Sequence, residues 1–293
     1  MLVLNSVMAL ESKRAYGRAI DSYFRWFQTQ SSTTEFNKAS VQAYRSVLIA
    51  SGRSSSTVSL TMTALRRLAF EAADNDLLTS DLASSIMRVK GVKRHGLKIG
   101  IWLTVAQADE LLSTPDASSL KGKRDRALLA VLIGCGLRRD ELARLVVENV
   151  QQRAGRWIIV DLRGKGGRVR SIPMSAVSKA ALDLWTQAAG IQTGRIFRPV
   201  NKSGELSGDS MTGQAVFETV TKYTARIGMK GISPHHLRRT YARLAFDGKA
   251  SLVQIQLCLG HYQKITTELY VGIQQDLEDS PCDHLGLSVP DLS

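Results

Sequence analysis

The chain has 293 residues, 44% of them hydrophobic, with 39 Lys and Arg against 26 Asp and Glu for a net charge of +13. That composition excludes a disordered chain, and no run approaches the roughly 18 apolar residues that read as a membrane span. Cys135, Cys258 and Cys282 are odd in number and far apart, which argues against a disulfide framework or a zinc site and fits a reducing, cytoplasmic setting.

The chain opens on apolar Met1-Leu2-Val3-Leu4, but no basic stretch precedes it and Glu11 and Lys13 end it early, so no secretory signal is expected. No proline occurs before Pro115, and only Gly17 and Gly52 interrupt the first 90 residues, the punctuation of an all-helical segment. From Ser12 to Gln28, Tyr16, Ile20, Tyr23, Phe24 and Phe27 recur at helical spacing, with Arg14, Arg18, Asp21 and Arg25 opposite. Ser40 to Ala50 reads as a second helix. Thr57 to Ala73 reads as a third, with Val58, Met62, Leu65 and Ala69 inward and Arg66 and Arg67 outward; a short fourth spans Ser80 to Met87. Residues 1–88 are thus expected to form a helical domain. Residues 89–103, with Lys90, Lys93, Arg94 and Lys98, three glycines and no acid, read as a basic linker.

From Thr104 the pattern is mixed, and residues 104–293 are expected to form a second domain. Thr104 is a candidate N-cap. Asp125 to Ile133 reads as a buried helix broken by Gly134 and Gly136. Trp157 to Leu162 and Arg168 to Pro173 read as strands flanking the Gly164-Lys165-Gly166-Gly167 turn. The remainder is mainly helical, so the fold class is mostly α with a small β-sheet. Charge is divided unevenly along the chain. After Lys264 there are six acids and no Lys or Arg, which leaves 39 basic and 20 acidic residues before it, a net of +19. A body that basic implies a polyanion partner.

No phosphate loop, HExxH, CxxC or GxSxG is present. Four other stretches carry candidate chemistry. In Gly136-Leu137-Arg138-Arg139-Asp140-Glu141-Leu142, Arg138 lies within i,i+3 reach of Glu141, either a surface ion pair or a rigid fork for phosphate oxygens. Lys165 stands in a glycine turn, either solvated or carried to a reacting oxygen as a proton donor. Ser233-Pro234 opens a helix on which His235 and Arg238 share a face, while His236 packs or caps. Leu257-Cys258-Leu259-Gly260-His261 ends a helix at its glycine, and Thr266-Thr267 reopen one that carries Tyr270. Taken singly, His261 is a capping histidine and Tyr270 a half-buried core tyrosine.

Taken in order, Arg138, Lys165, His235-x-x-Arg238, Leu-Gly-His261 and Tyr270 nine residues on resemble the tyrosine recombinase (phage integrase) family. The blocks are GCGLRRDELARL, RGKGGRVRSIP, SPHHLRRTYARL and LGHYQKITTELY, and the likeness runs from about Thr104 to Gln275. Three departures are Arg239 where the family often has His, Tyr241 where Phe is common, and Arg139 in place of a smaller residue. The resemblance implies a simple, Xer-like two-domain recombinase with a SAM-like core-binding domain and no separate arm-site domain. It implies that Tyr270 attacks a DNA phosphate to form a 3′-phosphotyrosyl link, with Arg138 and Arg238 on the non-bridging oxygens. Lys165 would be the acid for the leaving 5′-oxygen, His235 a proton partner and His261 a phosphate ligand. No metal, other cofactor or ATP is implied.

The implied partners are double-stranded DNA carrying specific recombination sites and other copies of the chain, a tetramer in the synaptic complex, with no membrane. The setting would be the cytoplasmic nucleoid, in integration, excision or resolution of chromosomal or mobile-element DNA. Arg14, Arg18, Arg25, Arg66, Arg67, Lys90, Lys93 and Arg94 are the expected DNA contacts, with the two domains clamping the duplex. A type IB topoisomerase-like relaxing enzyme and a catalytically silent DNA-binding protein are the alternatives. The acidic segment beyond about Gln275 is expected to dock on a neighbouring, more basic subunit rather than on DNA.

Overall fold

The computed structural model describes residues 10–30, 35–92, 101–164, 167, 169–261 and 263–272. Lys93, Arg94, Lys165 and the acidic segment after Gln275 lie outside the described residues. The chain divides into two compact units, residues 1–96 and 97–293.

The first unit is built from α1 (Leu10–Gln28), α2 (Lys38–Ala50), α3 (Ser55–Asp74) and α4 (Ser80–Met87). Each of the last three begins at a side chain that takes up orphan helix N–H groups. Asn37 accepts from Ala39 N and Ser40 N, Ser54 from Thr57 N, and Thr79 from Leu82 N. The core gathers Tyr23, Val41, Tyr44, Val58, Met62, Leu65 and Ile86. Tyr23 is fully enclosed, and its hydroxyl is satisfied by Ser40 Oγ at 3.0 Å.

One sequence reading needs correction here. Phe24 is exposed, because Ala19, Tyr23, Trp26 and Phe27 form the inward stripe of α1. Arg66 lies off the buried face of α3, its guanidinium laid back along its own helix onto Met62 O at 3.3 Å and Thr63 Oγ1 at 3.1 Å. Arg67 pairs with Glu71 at 2.8 Å, while Arg14, Arg18, Arg25 and Lys90 are exposed. The expected linker is anchored at both ends: Val89 and Val92 pack on the first core, and Leu103 is buried in the second.

The second unit is organised around α6 (Leu120–Cys135), which follows α5 (Val105–Ser113). Thr104 caps α5 as expected, in a reciprocal pair with Gln107. The α6 helix begins five residues before the sequence reading and buries Ala127 to Ile133 on all sides, as a central helix does. Its polar start is enclosed as well. Arg124 donates to Asp125 at 2.6 and 2.9 Å, and Tyr223 Oη donates to the other Asp125 oxygen at 2.9 Å. Gly134 does not break α6; it lets Ser175 and Ser178 approach, since a Cβ there would meet Ser178 Oγ at 2.1 Å. Gly136 ends the helix at φ +60°.

After α7 (Arg139–Ala143) comes a three-stranded antiparallel sheet, β1 (Val150–Arg153), β2 (Arg156–Arg163) and β3 (Val169–Pro173), in sequential order. Leu142 and Leu145 are buried as the sequence implied, although the short helix ends before Leu145. A bulge between Ile159 and Leu162 shifts the β2–β3 register, so that Arg163 stands opposite Val169. Next, α8 (Ala176–Ala188) packs along α6, where Ser178 Oγ donates to Ala130 O at 2.7 Å. The chain continues through α9 (Gly213–Arg226), α10 (Pro234–Asp247), α11 (Leu252–Leu259) and α12 (Lys264–Val271). The last three share a small core of Ala242, Ile255, Leu259, Tyr270 and Val271. Among the described residues, no helix is long and apolar enough to cross a membrane.

Candidate active site

Arg138 is the residue that enters α7, and Glu141 holds it twice. The Arg138 backbone N–H and its Nη1 each donate to a Glu141 oxygen at 2.8 Å. From β3, Arg170 closes on the same carboxylate with a fork of 2.9 and 2.8 Å, and its Nε donates to Cys258 O at 2.8 Å. Burial alone would push Glu141 up, but the Arg170 bonds and charge, then those of Arg138, bring it down to about 2. Glu141 therefore stays ionised, and Arg138 is held in one orientation with a third of its side chain open.

Arg238 is 1% exposed. Its Nη1 donates to Gly136 O at 2.6 Å and its Nη2 to Leu259 O, so it ties the end of α6 to the end of α11. Its Nε is buried with no partner among the described residues. Burial first, then the charge of Arg138, lowers it to about 10, which still leaves a full cation at neutral pH. The remaining hydrogens on its Nη groups and Nε are its available donors.

Tyr270 approaches from α12, with its hydroxyl 2.9 Å from His235 Nε2. His261, just past the Gly260 stop of α11, stacks edge-on to the same ring at 4.6 Å between centroids. His261 Nδ1 lies 3.0 Å from Thr267 Oγ1. Desolvation on their packed sides, followed by nearby arginines, lowers His235 to about 4 and His261 to about 3. Both imidazoles are neutral at physiological pH. His236 caps its own helix, accepting from Ser233 N at 3.0 Å, and so stays out of the site as the sequence implied.

A groove of about 300 Å³ is lined by Arg138, Arg139, Ser233, His235 and Arg238. A second, of about 220 Å³, is lined by Arg138, Gly164, Val169, Arg170 and His261. Arg138 borders both. A larger hollow of about 580 Å³ borders Glu141 among Arg144, Arg163 and Arg195, but none of the candidate catalytic side chains lines it. Among the described residues, no three His, Cys, Asp or Glu side chains gather as metal ligands would. The structure thus brings Arg138, His235, Arg238, His261 and Tyr270 together from α7, α10, α12 and the end of α11, while Lys165 lies outside the described residues. Neither Arg170 nor Arg243 is singled out by the sequence; the latter caps α12 by donating to Val271 O at 2.8 Å.

Residues 101–276 match the family model described as the phage integrase family, and residues 1–74 match that of the phage integrase N-terminal SAM-like domain. The chain belongs to the phage integrase family. It is 28% identical over 274 residues to tyrosine recombinase XerD of Vibrio cholerae, covering 91% of this chain and 87% of that protein. Against tyrosine recombinase XerD of Pseudomonas aeruginosa it is 33% identical over 178 residues, 58% of this chain and 57% of the other. Among solved structures, XerH in a post-cleavage complex with palindromic difH aligns with a TM-score of 0.72 at 19% identity, over 90% of this chain and 77% of that one. The Tn1549 transposon integrase in complex with transposon right end DNA aligns at 0.68 and 15% identity, over 94% and 96%. At such identity these structures establish the fold: an integrase catalytic unit preceded by a SAM-like helical unit.

Proposed function

We propose that this integrase-family chain is a site-specific DNA recombinase that cleaves and rejoins strands through a 3′-phosphotyrosyl intermediate. The observation that carries the reading is the Tyr270 hydroxyl set 2.9 Å from a neutral His235 Nε2, beside the groove that Arg138 and Arg238 line. A phenol with the ordinary pKa of about 10 is a weak nucleophile until its proton is taken up and the growing charge is met.

His235 receives that proton as the phenol oxygen bonds to phosphorus. Arg138, braced by Glu141, and Arg238 meet the non-bridging oxygens, where charge builds in the transition state. In the tautomer in which His261 Nδ1 accepts from Thr267 Oγ1, 3.0 Å away, its Nε2 carries the hydrogen and donates it to the phosphate. The bond from phosphorus to the 5′-oxygen breaks, and Lys165 supplies the proton to that leaving oxygen. The covalent link preserves the phosphodiester's energy, so a 5′-hydroxyl from a second duplex reverses the steps without ATP. Four copies on two paired sites complete the exchange, on chromosomal or mobile-element DNA in the cytoplasm. The exposed Arg14, Arg18 and Arg25 of α1 contribute phosphate contacts in the first unit.

The test uses nicked duplexes cut from DNA flanking the protein's own gene, resolved on a denaturing gel. The wild type is expected to leave a covalent DNA adduct, and Tyr270→Phe to bind the same fragment without one. An adduct that persists in Tyr270→Phe would remove Tyr270 as the nucleophile.

A further inference from the structure

Arg239 is one of the positions at which this chain departs from the residue its family often carries, and the departure falls on the nucleophile. On α10, Arg239 lies one turn after His235, so the two side chains share a face. Its guanidinium carbon sits 5.2 Å from the centre of the Tyr270 ring. The ring also meets His235 at 5.3 Å and His261 at 4.6 Å between centroids, both edge-on. Arg239 Nε is buried without a hydrogen-bond partner among the described residues, and the guanidinium stacks on the phenol. A cation over a tyrosine face is favourable, more so when partly desolvated.

Resting on the reading of Tyr270 as nucleophile, we propose that Arg239 is a positioning residue for strand cleavage: it stacks on the Tyr270 ring and fixes the phenol oxygen on the His235 nitrogen that takes its proton. The electrostatics agree with the placement. After desolvation, Arg239 is the leading cause that holds His235 low, ahead of Arg238, His236 and Arg138. The other groups around this pair are His261 from the end of α11, Glu141 and Arg170 behind Arg138, and Arg243 at the far end of α10. With Arg239 present, His235 stays an acceptor well below neutrality. Without it, His235 rises only part of the way toward its ordinary 6.5, because burial and the other cations remain, and it is protonated at a higher pH than in the wild type.

The experiment measures single-turnover adduct formation on a nicked site between pH 5 and 8 for wild type, Arg239→Met and Arg239→Lys. The His235 imidazole is titrated by NMR in the same proteins without DNA. Arg239→Met is expected to lower the maximal rate with the KM for DNA unchanged. It should also lose activity at pH 5.5 by at most about tenfold, the limit set by a histidine of fully ordinary pKa that is about one-tenth neutral there. Arg239→Lys, which keeps the charge but not the planar stack, should restore the acid limb but not the full rate. The NMR titration should move upward in Arg239→Met alone. A change confined to KM would make Arg239 a DNA contact, and an unmoved acid limb with an unmoved His235 titration would also overturn the proposal. If wild type forms no adduct at Tyr270, the proposed function fails, whereas the His235 titration still judges the Arg239 contact by itself.

Discussion

Arg170 and Glu141 meet as a two-pronged ion pair, 2.9 and 2.8 Å, although they stand 29 positions apart on β3 and α7. The pair is almost closed to solvent, with side-chain exposures of 10% and 2%. Its third bond, from Arg170 Nε to Cys258 O, reaches the helix end that presents His261. One guanidinium therefore links the carboxylate that aims Arg138 to the main chain that aims His261.

Removing one partner of such a pair leaves a buried charge unmatched. Arg170→Met is expected to destabilise the protein by about 3 kcal/mol and to reduce adduct formation beyond what the lost folded fraction explains. Arg170→Lys should rescue little of either, because an ammonium cannot fork across both oxygens and also reach Cys258. Denaturant unfolding paired with adduct yield at a temperature where all variants are folded checks this. A lysine variant equal to wild type on both measures would show that charge alone suffices.

The same groups set how stability responds to acid. Glu141 falls from its ordinary 4.5 to about 2 in the folded chain. Its contribution is thus complete above pH 4.5 and is lost as pH falls from there toward 2. His235 and His261 fall from 6.5 to about 4 and about 3. The unfolded chain takes up those protons first, so stability begins to drop at pH 6.5 and continues to drop through pH 4. Urea unfolding at pH 7, 5 and 3 should show two stages. His235→Asn with His261→Asn should flatten the first stage and Glu141→Gln the second. A single stage insensitive to the histidine pair would contradict the assignment.

Much of the site was legible because its residues lie beside strong local punctuation. Gly136 before Arg138, Ser233-Pro234 before His235 and Gly260 before His261 each mark a helix boundary, and the structure keeps all three. What escaped was decided by distant partners. Arg170 looked like one more cation in a basic strand, since nothing near it in sequence announces Glu141. The first turn of α6 lies before the Asp125 start that the sequence suggests, and the Tyr223 hydroxyl that completes Arg124 and Asp125 lies 98 positions away from Asp125. Edge strand β1, Val150–Arg153, carries Gln-Gln-Arg after a single valine and so has too little alternation to declare itself. Phe24 was read as core from spacing alone, whereas α1 turns a neighbouring stripe inward.

Gly164 and Val169 line the same groove as Arg138 and His261, and β2 pairs with β3 at Arg163 and Val169. We propose Lys165, which lies between these positions in the sequence, as the proton donor to the 5′-oxygen leaving a phosphate held at Arg138. An alkoxide leaves poorly without a proton, whereas a thiolate, with a conjugate acid of pKa about 8.5, leaves readily. Lys165→Ala is accordingly expected to slow adduct formation on ordinary DNA by about 10²- to 10⁴-fold. On a substrate whose scissile 5′-oxygen is replaced by sulfur, the same variant should recover to within about tenfold of wild type, because the proton is no longer needed. The measurement is single-turnover cleavage of both substrates by both proteins. An equal defect on the sulfur substrate would move Lys165 from proton donor to phosphate ligand.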